Sequence, residues 1–264
     1  MRALLCWLAT GLTLSAGDQR IASYSPGATR TLADLGCADA IVMATRWCPL
    51  PPEHPARRDA DVFQPDLERL LQAKPDLVVL PRMANPLWAD KCAKAGLRLV
   101  VLHAESKDSV SRDILLLGQT TGREAVARKL SGELRSPTKR PAKRIIIIWD
   151  GVMAGPESYL AEPLAAAGLA SALESGSWVK FDWELIATRR PDALLWVQNG
   201  KAEGLLSANP AKTAELRQVP AIRELSCVIK GRVYGAINSG NWLPGSGLNK
   251  IIPELSGLRD SLED

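Results

Sequence analysis

The stretch PDLERLLQAKPDLVVL at 65–80 recurs, without a gap, as FDWELIATRRPDALLW at 181–196. At this offset of 116 residues Asp66 meets Asp182, Glu68 meets Glu184, Lys74 meets Arg190, and Pro75-Asp76 meets Pro191-Asp192. Each copy places an Asp where it caps the free N–H groups of a helix start, an acid in the first turn where the helix dipole favours it, and apolar residues at helical spacing. Pro-Asp then ends the helix. The runs Leu77–Leu80 and Ala193–Val197 that follow have the unbroken hydrophobicity of parallel strands buried on both faces. The match implies two similar supersecondary units, one in each half.

Further units flank each copy. In the first half Arg20–Tyr24 is a short strand, SPGATRTLADLG at 25–36 a turn and amphipathic helix, Ala40–Ala44 a second strand and GLRLVVL at 96–102 a fourth. In the second half Arg144–Trp149 is a strand, Glu157–Ala167 a helix ended by Gly168, and GRVYGAI at 231–237 a late strand. Alternating strands and helices predict parallel sheets with helices on both faces. Between the halves, Val110, Ile114, Leu117, Ala125, Leu130 and Leu134 fall on roughly one face, which predicts a single connecting helix of about 45 Å, with Gly118 and Gly122 as bending points. The expected fold is α/β: two doubly wound, Rossmann-like lobes, 18–105 and 137–264, joined by one long connecting helix over 106–136, with a ligand cleft between the lobes.

Residues 1–17, MRALLCWLATGLTLSAG, carry one Arg, an apolar stretch and a small-residue end, the pattern of a cleaved secretory signal peptide. The run is shorter than the roughly 20 apolar residues a membrane anchor needs, and Cys6 lies inside it rather than after it, so an exported, soluble protein is expected. Cys37, Cys48, Cys92 and Cys227 then remain, an even number compatible with disulfides or with buried free thiols, at spacings too irregular for zinc. Lys and Arg exceed Asp and Glu by 33 to 29 without forming a basic stripe, which gives no sign of a nucleic-acid partner.

In open α/β sheets ligands bind beyond the carboxyl ends of the strands. The loops in that position hold Ser25, Pro26 and Gly27; Arg46 and Trp47; Arg82, Asn85 and Trp88; Trp149; Asn199; and Asn241 and Trp242, with Trp178 leading into the second repeat. Eight Trp against two Phe is a skewed choice for packing alone, because each indole brings an N–H to satisfy. Trp47, Trp88 and Trp242 sit among Pro, Gly and Asn and are expected to face a ligand; core packing is at least as good a reading for Trp149, Trp183 and Trp196. The chain has no G-x-S-x-G, Walker or G-x-G-x-x-G motif and no His pair at metal spacing, so no catalytic residue or resident metal is assigned. His103 with Glu105 is the one acid–base pair near a strand end, and a capping role beside the connector fits it better.

RIASYSPGATRTLADLG at 20–36, LERLLQAKPDLVVL at 67–80, GRVYGAINSGNW at 231–242 and the central helical stretch occur in the order found in a known family. The chain resembles the helical-backbone, class III periplasmic binding proteins that serve ABC importers of cobalamin, ferric siderophores and haem. That resemblance implies a monomeric periplasmic binding protein without a cofactor of its own, carrying a metal chelate to a permease dimer. It also implies that Glu68 and Glu184, one per lobe, dock on the permease. Trp faces and the carboxamides of Asn85, Asn199 and Asn241 suit a corrinoid, an apolar plate fringed with amides. An anionic siderophore would use Arg46 and Arg82, and haem would use His54 or another axial ligand. An exported enzyme with a chelatase-like two-lobed fold is the alternative of another class.

Overall fold

Ser25 opens the first helix: its Oγ accepts from the Ala28 amide at 3.3 Å and Pro26 fills the first helical position, where a missing N–H costs nothing. In the computed structural model, which describes residues 19–264 except 65, 105, 107, 137, 139, 201–203, 239 and 264, this helix is α1 (Pro26–Asp34). The signal peptide read in residues 1–17 lies outside the described residues. β1 (Ile21–Ser23), β2 (Ile41–Ala44), β3 (Leu77–Pro81) and β4 (Arg98–Leu102) form a parallel sheet in the order β2-β1-β3-β4, with α2 (Leu67–Gln72) and α3 (Leu87–Lys94) between strands.

Next come α4 (Ser109–Thr121) and α5 (Glu124–Leu134), then β5 (Lys143–Trp149), β6 (Val152–Ala154), α6 (Ala161–Ala166), β7 (Leu169–Ser171) and β8 (Trp178–Lys180). The chain ends with α7 (Trp183–Arg189), β9 (Ala193–Asn199), β10 (Gly204–Ala208), α8 (Pro210–Leu216), α9 (Ser226–Ile229), β11 (Val233–Asn238) and α10 (Leu248–Asp260). The second sheet has a parallel core, β7-β5-β9-β11, which in chain order is again second, first, third, fourth. Both lobes therefore wind alike. The sheet is mixed, however: β6 returns directly from β5 through Asp150 and Gly151, both at positive φ, β8 pairs antiparallel to β6, and β10 pairs antiparallel to β11 at the opposite edge.

The repeat extends to single hydrogen bonds. Asp66 caps α2 by accepting from the Arg69 amide, and Asp182 caps α7 by accepting from those of Glu184 and Leu185. Lys74 and Arg190 both turn the chain with positive φ, 48° and 45°. Asp76 Oδ2 then accepts from the Arg20 amide at 2.8 Å, and Asp192 Oδ2 from the Arg144 amide at 2.7 Å. Each Asp thus ties the third parallel strand of its lobe to the start of the first.

The connector differs from the single helix expected over 106–136, being broken rather than bent. Gly122, at φ 69°, ends α4, and the Arg123 amide bonds back to Gly118 O at 2.7 Å. The chain turns so sharply that a Cβ on Gly118 would lie 2.2 Å from that of Ala127. Two helices of about 20 and 16 Å replace the rod of about 45 Å. One continuous apolar cluster runs through both halves, from Ile21, Leu32 and Leu77 to Ile145, Leu195 and Leu255. The loop before α10 also fastens the lobes: Pro244 O meets α1 where Gly27 lacks a side chain, Ser246 N donates to Thr31 Oγ1 at 3.0 Å, and Ser246 Oγ donates to Asp34 at 2.7 Å.

Candidate functional site

The order second-first-third-fourth reverses winding direction between the first and third strands, and in open α/β sheets ligands bind at the loops leaving such a switch point. In the first lobe these loops and the neighbouring one after β2 present Arg46, Trp47, Arg82 and Met83, all exposed. Trp47 is 71% exposed, and the Arg46 guanidinium lies over its ring at 4.8 Å from the centroid, which leaves the other face of the indole to solvent.

The second lobe contributes a polar chain at the same strand ends. The Gly240 and Trp242 amides donate to Asn238 Oδ1, Asn238 Nδ2 donates to Asn199 Oδ1 at 3.0 Å, and Asn199 Nδ2 donates to Asp150 Oδ2 at 2.7 Å. Asn199 is exposed, so its amide and the Asp150 carboxylate are available to a ligand.

A cavity of about 670 Å³ lies where the two lobes meet near the connector, lined by Arg82, His103, Arg112 and Asp113 from one side and Ser177 from the other. Asp113 Oδ2 accepts from the His103 amide at 2.8 Å. Burial raises its carboxyl from the ordinary 3.8 to about 6, against the lowering effect of the His103 amide and of the His103 and Arg112 charges. Asp113 was not among the expected site residues. Its signal is a carboxylate one place before Ile114 on the apolar stripe of α4, where a charge has to find a buried partner. A second cavity, of about 780 Å³, is confined to the first lobe beside α2 and is lined by Asp59, Asp61, Phe63, Arg69 and Lys91.

Several residues expected to face a ligand are occupied elsewhere. Trp88 is 1% exposed, stacked edge-on to Tyr24 at 4.8 Å with its Nε1 donating to Val62 O. Trp242 is 2% exposed, and its carbonyl accepts from Tyr159 Oη at 3.2 Å. Pro, Gly and Asn mark a loop correctly at Trp242, but Trp88 lies in the first turn of α3 rather than in a loop, and both indoles go into the core. Ser25 and Pro26 are consumed in starting α1, and Gly27 in lobe contact. Asn85 staples its own loop, donating to Phe63 O and accepting from the Leu87 amide. Half-buried Asn241 packs its backbone on Gly247. Trp149 packs in the core and edge-on to half-buried Trp178 at 6.3 Å, with Tyr159 against Trp178 at 5.6 Å. Of the expected wall, Arg46, Trp47, Arg82 and Asn199 are exposed and Trp178 is half-buried.

Residues 21–238 match the periplasmic binding protein family. The chain belongs to that family. Among curated relatives, the cobalamin-binding protein of Halobacterium salinarum is 24% identical over 232 residues, covering 80% of this chain and 63% of that protein; the chain thus spans under two thirds of that relative's length. The periplasmic haem-binding protein HutB of Vibrio cholerae superposes with a TM-score of 0.72 at 16% identity, over 95% of this chain and 100% of that one. The periplasmic vitamin B12-binding protein BtuF of the same organism gives 0.69 at 18%, over 93% and 98%. These likenesses establish the two-lobed fold.

The four cysteines expected either paired or buried are all free and buried, so the lobes are held without disulfides among them. His54, the expected haem ligand, accepts from the Ala56 amide through Nδ1 at 3.2 Å, which places its proton on Nε2, 3.0 Å from Ala38 O. Both nitrogens are therefore engaged. Tyr24 and Tyr159 are buried, whereas His103 is exposed and lines the interlobe cavity. Glu68 and Glu184 are exposed in the first turns of α2 and α7, at matching places in the two lobes.

Proposed function

We propose that this chain is the exported capture component of an ABC importer, holding a large planar metal chelate between its lobes and presenting it to a permease dimer. The observation that carries the reading is a pair of unlike features at the strand ends: an exposed indole with a guanidinium over its ring in one lobe, and a ladder of carboxamides with one carboxylate in the other. A broad apolar ring edged with amides has the chemistry of both features, and a corrinoid has that form. The names of curated relatives support the same ligand class.

Haem is the second reading, supported by His103 in a cavity that also holds Arg82 and Arg112, a nitrogen ligand beside cations suited to carboxylates. Titrating the mature protein with cyanocobalamin, haemin and a ferric siderophore separates them. Saturable one-to-one quenching by cyanocobalamin, with affinity lowered in Trp47→Ala, is the expected result. Saturation by haemin alone, lost in His103→Ala, would replace the ligand and keep the role, and no binding of any probe would refute the role itself. Delivery is tested separately. Glu68→Ala with Glu184→Ala is expected to leave ligand affinity unchanged and to stop uptake in permease-containing vesicles.

A further inference from the structure

Trp47 is almost free of packing, so something other than its own contacts has to fix where it stands. Beneath the Arg46–Trp47 turn lie four buried polar side chains: Ser23 at the end of β1, Thr29 in α1, Thr45 just after β2, and Cys48 closing the turn. Thr29 Oγ1 donates to Cys48 Sγ at 3.0 Å and can then only accept from Ser23 Oγ, 2.8 Å away. Thr45 Oγ1 lies 3.3 Å from the same sulfur and 3.3 Å from the Trp47 amide. An amide N–H can only donate, so the Thr45 hydroxyl accepts from Trp47, while between Thr45 Oγ1 and Cys48 Sγ either atom can donate. Cys48 Sγ also reaches Ser23 O at 3.7 Å.

These contacts link Ser23, Thr29, Thr45 and Cys48 into one buried chain, and Ser23 Oγ also lies 3.4 Å from Ser25 O at the start of α1. The chain joins the Trp47 backbone to β1 and α1, the rigid base of the lobe. Without it, a ligand would have to order the exposed turn on binding, and the ordering entropy would come out of the affinity. Thr45 is the one link that touches both the Trp47 amide and the buried chain.

We propose that Thr45 is a positioning residue that pre-orders Trp47 as a wall of the cleft; this rests on the reading of Trp47 as a ligand contact. The test compares Thr45→Val, which keeps the shape and removes the hydroxyl, with Thr45→Ser, which restores it, each in wild-type and Trp47→Ala backgrounds. Cyanocobalamin and haemin serve as probes, and hydrogen exchange is read at the Trp47 amide. Thr45→Val is expected to weaken binding about fivefold, the worth of one hydrogen bond, and to speed exchange of the Trp47 amide. Thr45→Ser reverses both effects, and in the Trp47→Ala background Thr45→Val leaves affinity unchanged. An equal loss in both backgrounds would mean a general effect on the lobe and overturn the proposal, as would an unaltered Trp47 amide. If wild type binds neither probe, the ligand reading fails. The exchange data then decide alone: loss of protection with rescue by serine upholds the positioning of the turn, and retained protection sinks it.

Discussion

Asp113 is a carboxylate kept where water barely reaches, and its titration has a definite sign. Burial raises its folded-state value from 3.8 to about 6, so the native protein holds this proton more tightly than the unfolded chain does. Its contribution to stability is largest below pH 4 and is lost as pH rises through 6. Asp113→Asn retains an oxygen for the His103 amide and never ionises, so it is expected to gain of order 1–3 kcal/mol over wild type at pH 8 and nothing at pH 4. Thermal melts at the two pH values read the difference directly. The tryptophans make the complementary case. Trp88→Ala is expected to lower stability by about 3–5 kcal/mol through the cavity it leaves, whereas Trp47→Ala changes stability by less than about 0.5 kcal/mol while weakening binding. Urea denaturation of the two variants checks this. The neighbours of both residues say "loop" in sequence, and only the fold of the rest decides that Trp88 enters α3 and turns inward to Tyr24 and Val62 while Trp47 stands clear.

At the scale of elements the repeat was legible because its decisive positions are local: a capping Asp, a Pro-Asp break and an apolar run each act within a few residues. Its deeper content, the bonds from Asp76 to Arg20 and from Asp192 to Arg144, spans 56 and 48 residues and is visible only in the fold. If the two ties are equivalent, Asp76→Ala and Asp192→Ala should each lower stability by about 1 kcal/mol, and the losses should add in the double variant because the sites share no partner. A double loss well below the sum in urea denaturation would mean that one lobe unfolds without the other. The connector was less legible. Val110 to Leu134 keeps its helical period across Gly122, and periodicity carries no sign that this glycine sits at positive φ and turns the chain back. Likewise, the mixed edge of the second sheet depends on a tight return after Trp149 that alternation of strands and helices does not foretell.

For the whole molecule the question is how far two similar lobes move against each other. A shared apolar cluster, a folded connector and the α1 fastening all act across the lobe boundary, and the fastening depends on a missing atom: a Cβ on Gly27 would lie 2.0 Å from Pro244 O. Neither partner can yield cheaply, since one is a helix backbone and the other a carbonyl in a loop held by Thr31 and Asp34. Gly27→Ala should therefore lift the 240–247 loop off α1, lowering stability by about 1–3 kcal/mol and exposing the loop to protease. The same variant measures what lobe contact does for binding. Wild-type lobes already held in contact give a preformed cleft, so ligand should barely change the radius of gyration of wild type by small-angle scattering. It should contract Gly27→Ala, with weaker affinity, because part of the binding energy then goes into closing the lobes. A large contraction in wild type would show instead that the fastening opens in solution and that closure belongs to capture itself.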